Sequence, residues 1–207
     1  MPIWFVLILC SGLLILPGGF NAYFIYRTKR WQLLALLFLM LLFGFHEQWQ
    51  VTPTLYLNYG GFVLPFVYFL FVLLHIPAAQ QRVSALGILV GAVAAYMGGY
   101  TLSSWADAIL GTADYLRMAI MVFYAILFAD RSMQRLTVFV LGYLLSGLLG
   151  YLDGLLSSPV PYASLGVDSD FTALLLGAII SFALPIFTRA IKPHAIKVCY
   201  HIRRNHG

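Results

Sequence analysis

Charge is scarce in this chain. Asp, Glu, Lys and Arg make up 9% of its 207 residues, against 62% hydrophobic, whereas a soluble domain carries about a quarter charged residues. A water-soluble surface cannot be assembled from so few. Long polar stretches are missing as well. The longest, 157–170 and 189–207, are too short to bury a core of their own, which excludes a separate soluble domain. Cysteine is nearly absent. Cys10 and Cys199 fall in the outer part of the first apolar run and in the basic tail, on opposite sides of the topology below, so no disulfide is expected. No HExxH or other recognised metal spacing occurs, and neither a metal nor another cofactor is expected.

What the chain does have is apolar runs. A helix crosses about 30 Å of hydrocarbon with about 20 residues at 1.5 Å each. Seven candidates stand at 3–26, 31–46, 55–76, 83–101, 108–128, 136–156 and 171–188. They are too continuous for the in-out alternation of a membrane barrel, and lipid offers the backbone no hydrogen-bond partner, so helices are the expected form. The expectation is an all-α integral membrane protein: a seven-helix bundle over 1–188 and a basic tail over 189–207.

The bases fix the orientation of that bundle. Arg27, Lys29 and Arg30 follow the first run, Arg82 the third, and Arg131 and Arg135 the fifth; Arg189, Lys192, Lys197, Arg203 and Arg204 follow the seventh. Every base except Arg117 thus falls on one face, and every acid except Asp130 falls at or near the other. The positive-inside rule makes the basic face cytoplasmic, with the N-terminus outside and the C-terminus inside. An even number of spans would break the alternation. The first run lacks a preceding basic segment and has its bases after it, the pattern of a retained anchor rather than a cleaved signal. Trp4, Trp49, Tyr56, Tyr100, Trp105 and Tyr162 mark the outer boundary and Tyr26, Trp31 and Tyr200 the inner one, as amphipathic rings favour headgroup depth.

Packing is written in small residues four apart. Gly87, Gly91, Ala95 and Gly99 form such a ridge in the fourth span, Gly142, Ser146, Gly150 and Gly154 in the sixth, and Ala173, Gly177 and Ser181 in the seventh. Small residues on one helix face let backbones approach, which is how helices associate in lipid. Near Asn58, Gly60, Gly61 and Pro65 the third helix is expected to kink. The same weakening could instead expose carbonyls toward a cavity, as in transporters.

Candidate chemistry lies at the outer face, where His46, Glu47, Asp114, Arg117, Asp153, Asp168 and Asp170 form a polar set. If they converge, a cation or proton site follows. If they do not, acids simply accumulate where bases are excluded, and Asp114 and Arg117 make an i,i+3 ion pair. The tail 189–207, basic and without acids, suits attraction to anionic lipids. It lacks the folded aromatic platform of a nucleic-acid binder.

Two resemblances follow from these residues. Tyr151-Leu-Asp153, Gly166-Val-Asp168-Ser-Asp170 and Leu184-Pro185 resemble the Asp pair of intramembrane aspartyl proteases, which implies two carboxylates sharing a proton to activate water. The family's Gly-x-Gly-Asp motif is not intact here, and its Tyr-Asp motif is interrupted. Over more of the chain, Ala113-Asp114-Tyr-Leu-Arg117 leading to Phe128-Ala-Asp130-Arg131, Gln134-Arg135-Leu before a Gly-rich span, and Ser164-Leu-Gly166 look like YphA-type small membrane proteins of spore-forming Gram-positive bacteria. That resemblance implies a multi-pass protein of the bacterial plasma membrane and no established activity. The function expected is a non-catalytic membrane scaffold or accessory protein, acting on a membrane-protein partner or a second copy. A small transporter or channel using the outer acids is the alternative, and the protease a further one.

Overall fold

The computed structural model describes residues 30–44, 48–103, 113–129, 131–157, 163–166 and 170–181. The first expected span, the end of the seventh and the basic tail lie outside the described residues. So do His46, Glu47 and Asp168.

Helix dominates. The chain runs through α1 (Arg30–Gly44), β1 (Gln48–Thr52), β2 (Leu55–Asn58), a π-helical turn (Tyr59–Val63), α2 (Leu64–His75), α3 (Ala78–Thr101), α4 (Ala113–Phe128), α5 (Ser132–Ser157), β3 (Ala163–Leu165) and α6 (Asp170–Ser181). Two of these helices, spanning Ala78–Thr101 and Met133–Ser157, are long and apolar enough to cross a membrane; Tyr59–His75 and Asp170–Ser181 are shorter apolar helices. At 1.5 Å per residue the 24 residues of α3 reach about 36 Å.

The all-α expectation is corrected by a three-stranded sheet in the order β1-β2-β3, antiparallel between β1 and β2 and parallel between β2 and β3. Residues 55–58, expected to open the third span, are therefore strand. Tyr151 ties the hairpin to the bundle, its hydroxyl 3.2 Å from the Thr52 Oγ1 and 3.0 Å from the Thr54 Oγ1. The expected helix weakness near Asn58 takes a definite form. The Asn58 Oδ1 accepts from the Gly61 N–H at 2.7 Å, capping the wide turn, and Pro65 sits where α2 begins.

The bundle alternates in direction. Gly87 on α3 lies against Phe128 and Val138, and Gly99 lies against Arg117, so α4 runs antiparallel to α3 and α5 parallel to it. Asp170, the first residue of α6, meets Tyr143, while Gly177 faces Phe139, so α6 descends along α5. Arg82, Arg131 and Arg135 consequently share one end of the bundle, where the Gln134 Nε2 donates to the Ser84 Oγ at 2.8 Å. Asp114 and Asp170 share the other. Among the described residues Arg82, Arg131 and Arg135 are thus separated in space from Asp114 and Asp170.

The small-residue ridges account for the close centre in different degrees. Gly87, Gly91, Ala95 and Gly99 are all buried along α3, which packs most extensively against α4 and α5. Ala173, Gly177 and Ser181 are buried on α6. On α5 the ridge is buried at Gly142 and Ser146, but Gly150 is exposed and Gly154 half-buried. A Cβ at Gly87 would stand 2.6 Å from the Phe128 Cβ, whereas one at Gly150 would meet only the Tyr96 ring at 3.9 Å. Gly87→Leu should therefore destabilise the detergent-solubilised protein by about 1–3 kcal/mol through overpacking. Gly150→Leu should be nearly silent in the same thermal-unfolding assay; equal losses would place both residues in tight interfaces.

Large apolar side chains cover the outside. Phe38 and Leu42 on α1, Val67, Phe71 and Leu74 on α2, Leu86, Leu89 and Val93 on α3, Phe123 and Leu127 on α4, and Leu155 and Leu156 on α5 are exposed. Exposed large apolar side chains thus occur on five of the helices.

Candidate functional site

The lone base inside an expected span, Arg117, is where the polar residues meet. It projects from α4 into a space between α3 and α5 that two glycines leave open. A Cβ at Gly99 would stand 2.9 Å from the Arg117 Cγ, and one at Gly147 would stand 3.1 Å from its Nη2. The side chain reaches through that gap with only 16% of its surface exposed.

Its donors are then taken up one by one. The Nη1 donates to the Asp114 Oδ1 at 2.9 Å, one helical turn away, and lies 3.7 Å from the Asp170 Oδ1 at the start of α6. The Nε and Nη2 point at the Ser146 Oγ at 3.4 and 3.2 Å, and that hydroxyl donates to the Tyr143 carbonyl at 2.7 Å. The guanidinium carbon also sits 5.0 Å from the centre of the Tyr143 ring, within cation–π range.

Asp170 is equally engaged. Its Oδ1 accepts from the Tyr143 hydroxyl at 2.8 Å and its Oδ2 from the Gly166 N–H at 2.8 Å. Gly166 holds φ +81° and packs backbone to backbone on Gly61, so closely that a Cβ on Gly61 would fall on the Gly166 carbonyl. Only residues without a Cβ allow that approach, and the left-handed φ independently favours glycine. The cluster is thus joined through Gly166 to the π-helical turn that Asn58 caps.

Of the seven polar residues singled out in the sequence, Asp114, Arg117 and Asp170 converge. Asp153 does not join them; its carboxylate lies beside the Tyr96 side chain. Asp153 and Asp170 therefore have separate partners, where an aspartyl dyad would share one proton. His46, Glu47 and Asp168 lie outside the described residues. Among the described residues no group of three His, Cys, Asp or Glu could hold a metal ion.

Three members were not recognised as such in the sequence. Tyr143 carried no signal by itself, and the Gly166 N–H is backbone. Ser146 belongs to the small-residue ridge of α5, yet its hydroxyl is what Arg117 uses. The available signal was the i,i+3 spacing of Tyr143 and Ser146 on an apolar helix, since a buried guanidinium needs acceptors from its neighbours.

With Asp114 and Arg117 on α4, Ser146 and Tyr143 on α5 and Asp170 opening α6, the arrangement can hold the three helices in one register. Its serine, Ser146, accepts from a guanidinium and donates to a backbone carbonyl, so no proton acceptor in the cluster activates it as a nucleophile. The fold so far defines a class: a mostly helical protein with two helices long and apolar enough to cross a membrane. Compared with protein-family models, curated proteins and solved structures, the chain matches none.

Proposed function

We propose that the chain is a seven-span protein of the bacterial plasma membrane, N-terminus outside and C-terminus cytoplasmic, that works as a non-catalytic scaffold or accessory protein. The observation that carries the scaffold reading is the closure of the Arg117 cluster. Asp170 offers both oxygens to partners within the chain, and the Arg117 donors face Asp114, Asp170 and Ser146. A transport or catalytic site keeps a coordination position open for its substrate. The exposed apolar cover on five helices supports a lipid environment, and the separation of Arg82, Arg131 and Arg135 from Asp114 and Asp170 supports the orientation. The resemblance to YphA-type proteins agrees with a plasma-membrane location. Its partners would be the bilayer, a membrane protein or a second copy meeting its helix faces, and anionic lipid along 189–207; no nucleic acid is involved.

A small transporter or channel is the second reading. The π-helical turn at Tyr59–Val63 favours it, since such turns are frequent at functional sites. Purified protein in liposomes separates the two. The scaffold reading expects no proton or cation flux above protein-free vesicles under an imposed gradient. A flux abolished by Asp170→Asn would replace it with the transporter. For orientation, a reporter active only when exported, fused after Gly207, should be silent, and activity there would overturn the topology.

A further inference from the structure

Asp170 faces two ways. One oxygen belongs to the buried cluster, taking the Tyr143 hydroxyl and the Arg117 charge, while the other holds the Gly166 N–H. Gly166 directly follows β3. β3 has three residues and pairs in parallel at the edge of its sheet. The Ser164 Oγ is buried without a hydrogen-bond partner, which costs stability. The contact of Gly166 on Gly61 is backbone against backbone, with no side chain to anchor it.

The same segment covers the cluster. A Cβ added at Gly147 would meet the Arg117 Nη2 at 3.1 Å and the Leu165 Cδ2 at 3.3 Å. The Leu165 side chain, itself buried, therefore lies over the gap through which Arg117 reaches.

We infer that residues 163–166 form a strap closing the acidic end of the Arg117 cluster, and that Asp170 is its latch. The strap has two positions. With Gly166 bonded to Asp170, Leu165 shields the guanidinium and the π-helical turn is pinned. With that bond lost, β3 leaves β2, Leu165 lifts from Gly147, and Arg117 faces water. Because the Asp170 carboxylate serves both sides, its removal frees the strap and the turn at Gly61, whereas loss of a single donor to its Oδ1 leaves the Oδ2 bond to Gly166 in place. This is a conformational device added to the scaffold reading, and it stands whether or not a partner uses it.

The test uses the full chain in detergent, with Cys10→Ser and Cys199→Ser, and Ser164→Cys as a reporter whose hydroxyl makes no bond to lose. Labelling by a polar maleimide should be slow in this parent. Asp170→Ala should speed it about tenfold or more, the change in an opening equilibrium expected when a hydrogen bond to a charged group goes. Tyr143→Phe, which removes a donor on the cluster side only, should change the rate by less than about twofold. Ser181→Cys, at a fully buried position of α6, should stay protected in the Asp170→Ala background. The latch is overturned if Ser164→Cys reacts readily in the parent or is unaffected by Asp170→Ala. It is also overturned if Tyr143→Phe accelerates labelling as much, or if Ser164→Cys and Ser181→Cys become reactive together, which would mean general loosening.

Discussion

Arg117→Leu should be the most damaging single substitution in the described core, costing about 3–5 kcal/mol, because it leaves two carboxylates without their cation in a buried setting. Asp114 and Asp170 are 20% and 14% exposed, so water relieves little of the penalty. Ser146 and the face of Tyr143 lose their partner as well. Arg117→Lys should recover part of the loss. An ammonium can neutralise the acids, but it cannot fork between Asp114 and Ser146 from one planar group. The decisive variant is the triple one, Arg117→Leu with Asp114→Asn and Asp170→Asn, which removes the charge imbalance and should be clearly more stable than Arg117→Leu alone. Unfolding in mixed micelles measures all three. A triple variant as unstable as the single one would show that packing, not unpaired charge, sets the cost.

Gly166→Ala should cost about 3 kcal/mol, since it combines strain at φ +81° with a Cβ less than 3 Å from the Gly61 carbonyl carbon and the Phe62 nitrogen. Gly61→Ala should be comparably harmful without any φ penalty, because its Cβ meets the Gly166 backbone rather than a side chain that could move. Gly150→Ala is the control, since its Cβ makes only an ordinary contact with the Tyr96 ring at 3.9 Å. Thermal unfolding should show two large losses and one negligible change; a tolerated Gly61→Ala would mean that the strand β3 and the π-helical turn do not touch as described.

How much of this was legible follows from what each signal can report. The apolar runs 83–101 and 136–156 located α3 and α5, whose helices extend about one turn further at their N-terminal ends, to 24 and 26 residues in all. Leu55 to Asn58 misled because hydropathy over four residues carries no period, and the strand declares itself only through pairing with β1 and β3. The alternation in Gln48-Trp49-Gln50-Val51 was the available hint, a period of two. The ion pair of Asp114 and Arg117 was readable because it is local, whereas Asp170 reaches Arg117 only through the tertiary fold. The α5 ridge failed at Gly150 for a geometric reason. Residues four apart drift by about 40° per step on a helix of 3.6 residues per turn, so Gly154 points well away from Gly142. On α3 the same drift does no harm, as α4 and α5 together cover a wide arc of it.

A multi-pass bundle requires α2 to cross the bilayer, although its apolar helix, Tyr59–His75, reaches only about 25 Å. Gln50 on β1 and Ala79 at the start of α3 are both exposed, and that one helix separates them. Single cysteines at these positions, in the chain lacking Cys10 and Cys199, are labelled with an impermeant maleimide in intact cells and again after permeabilisation. A crossing α2 predicts that Gln50→Cys reacts in intact cells and Ala79→Cys only after permeabilisation. Reaction of both from the same side would contradict the multi-pass bundle directly.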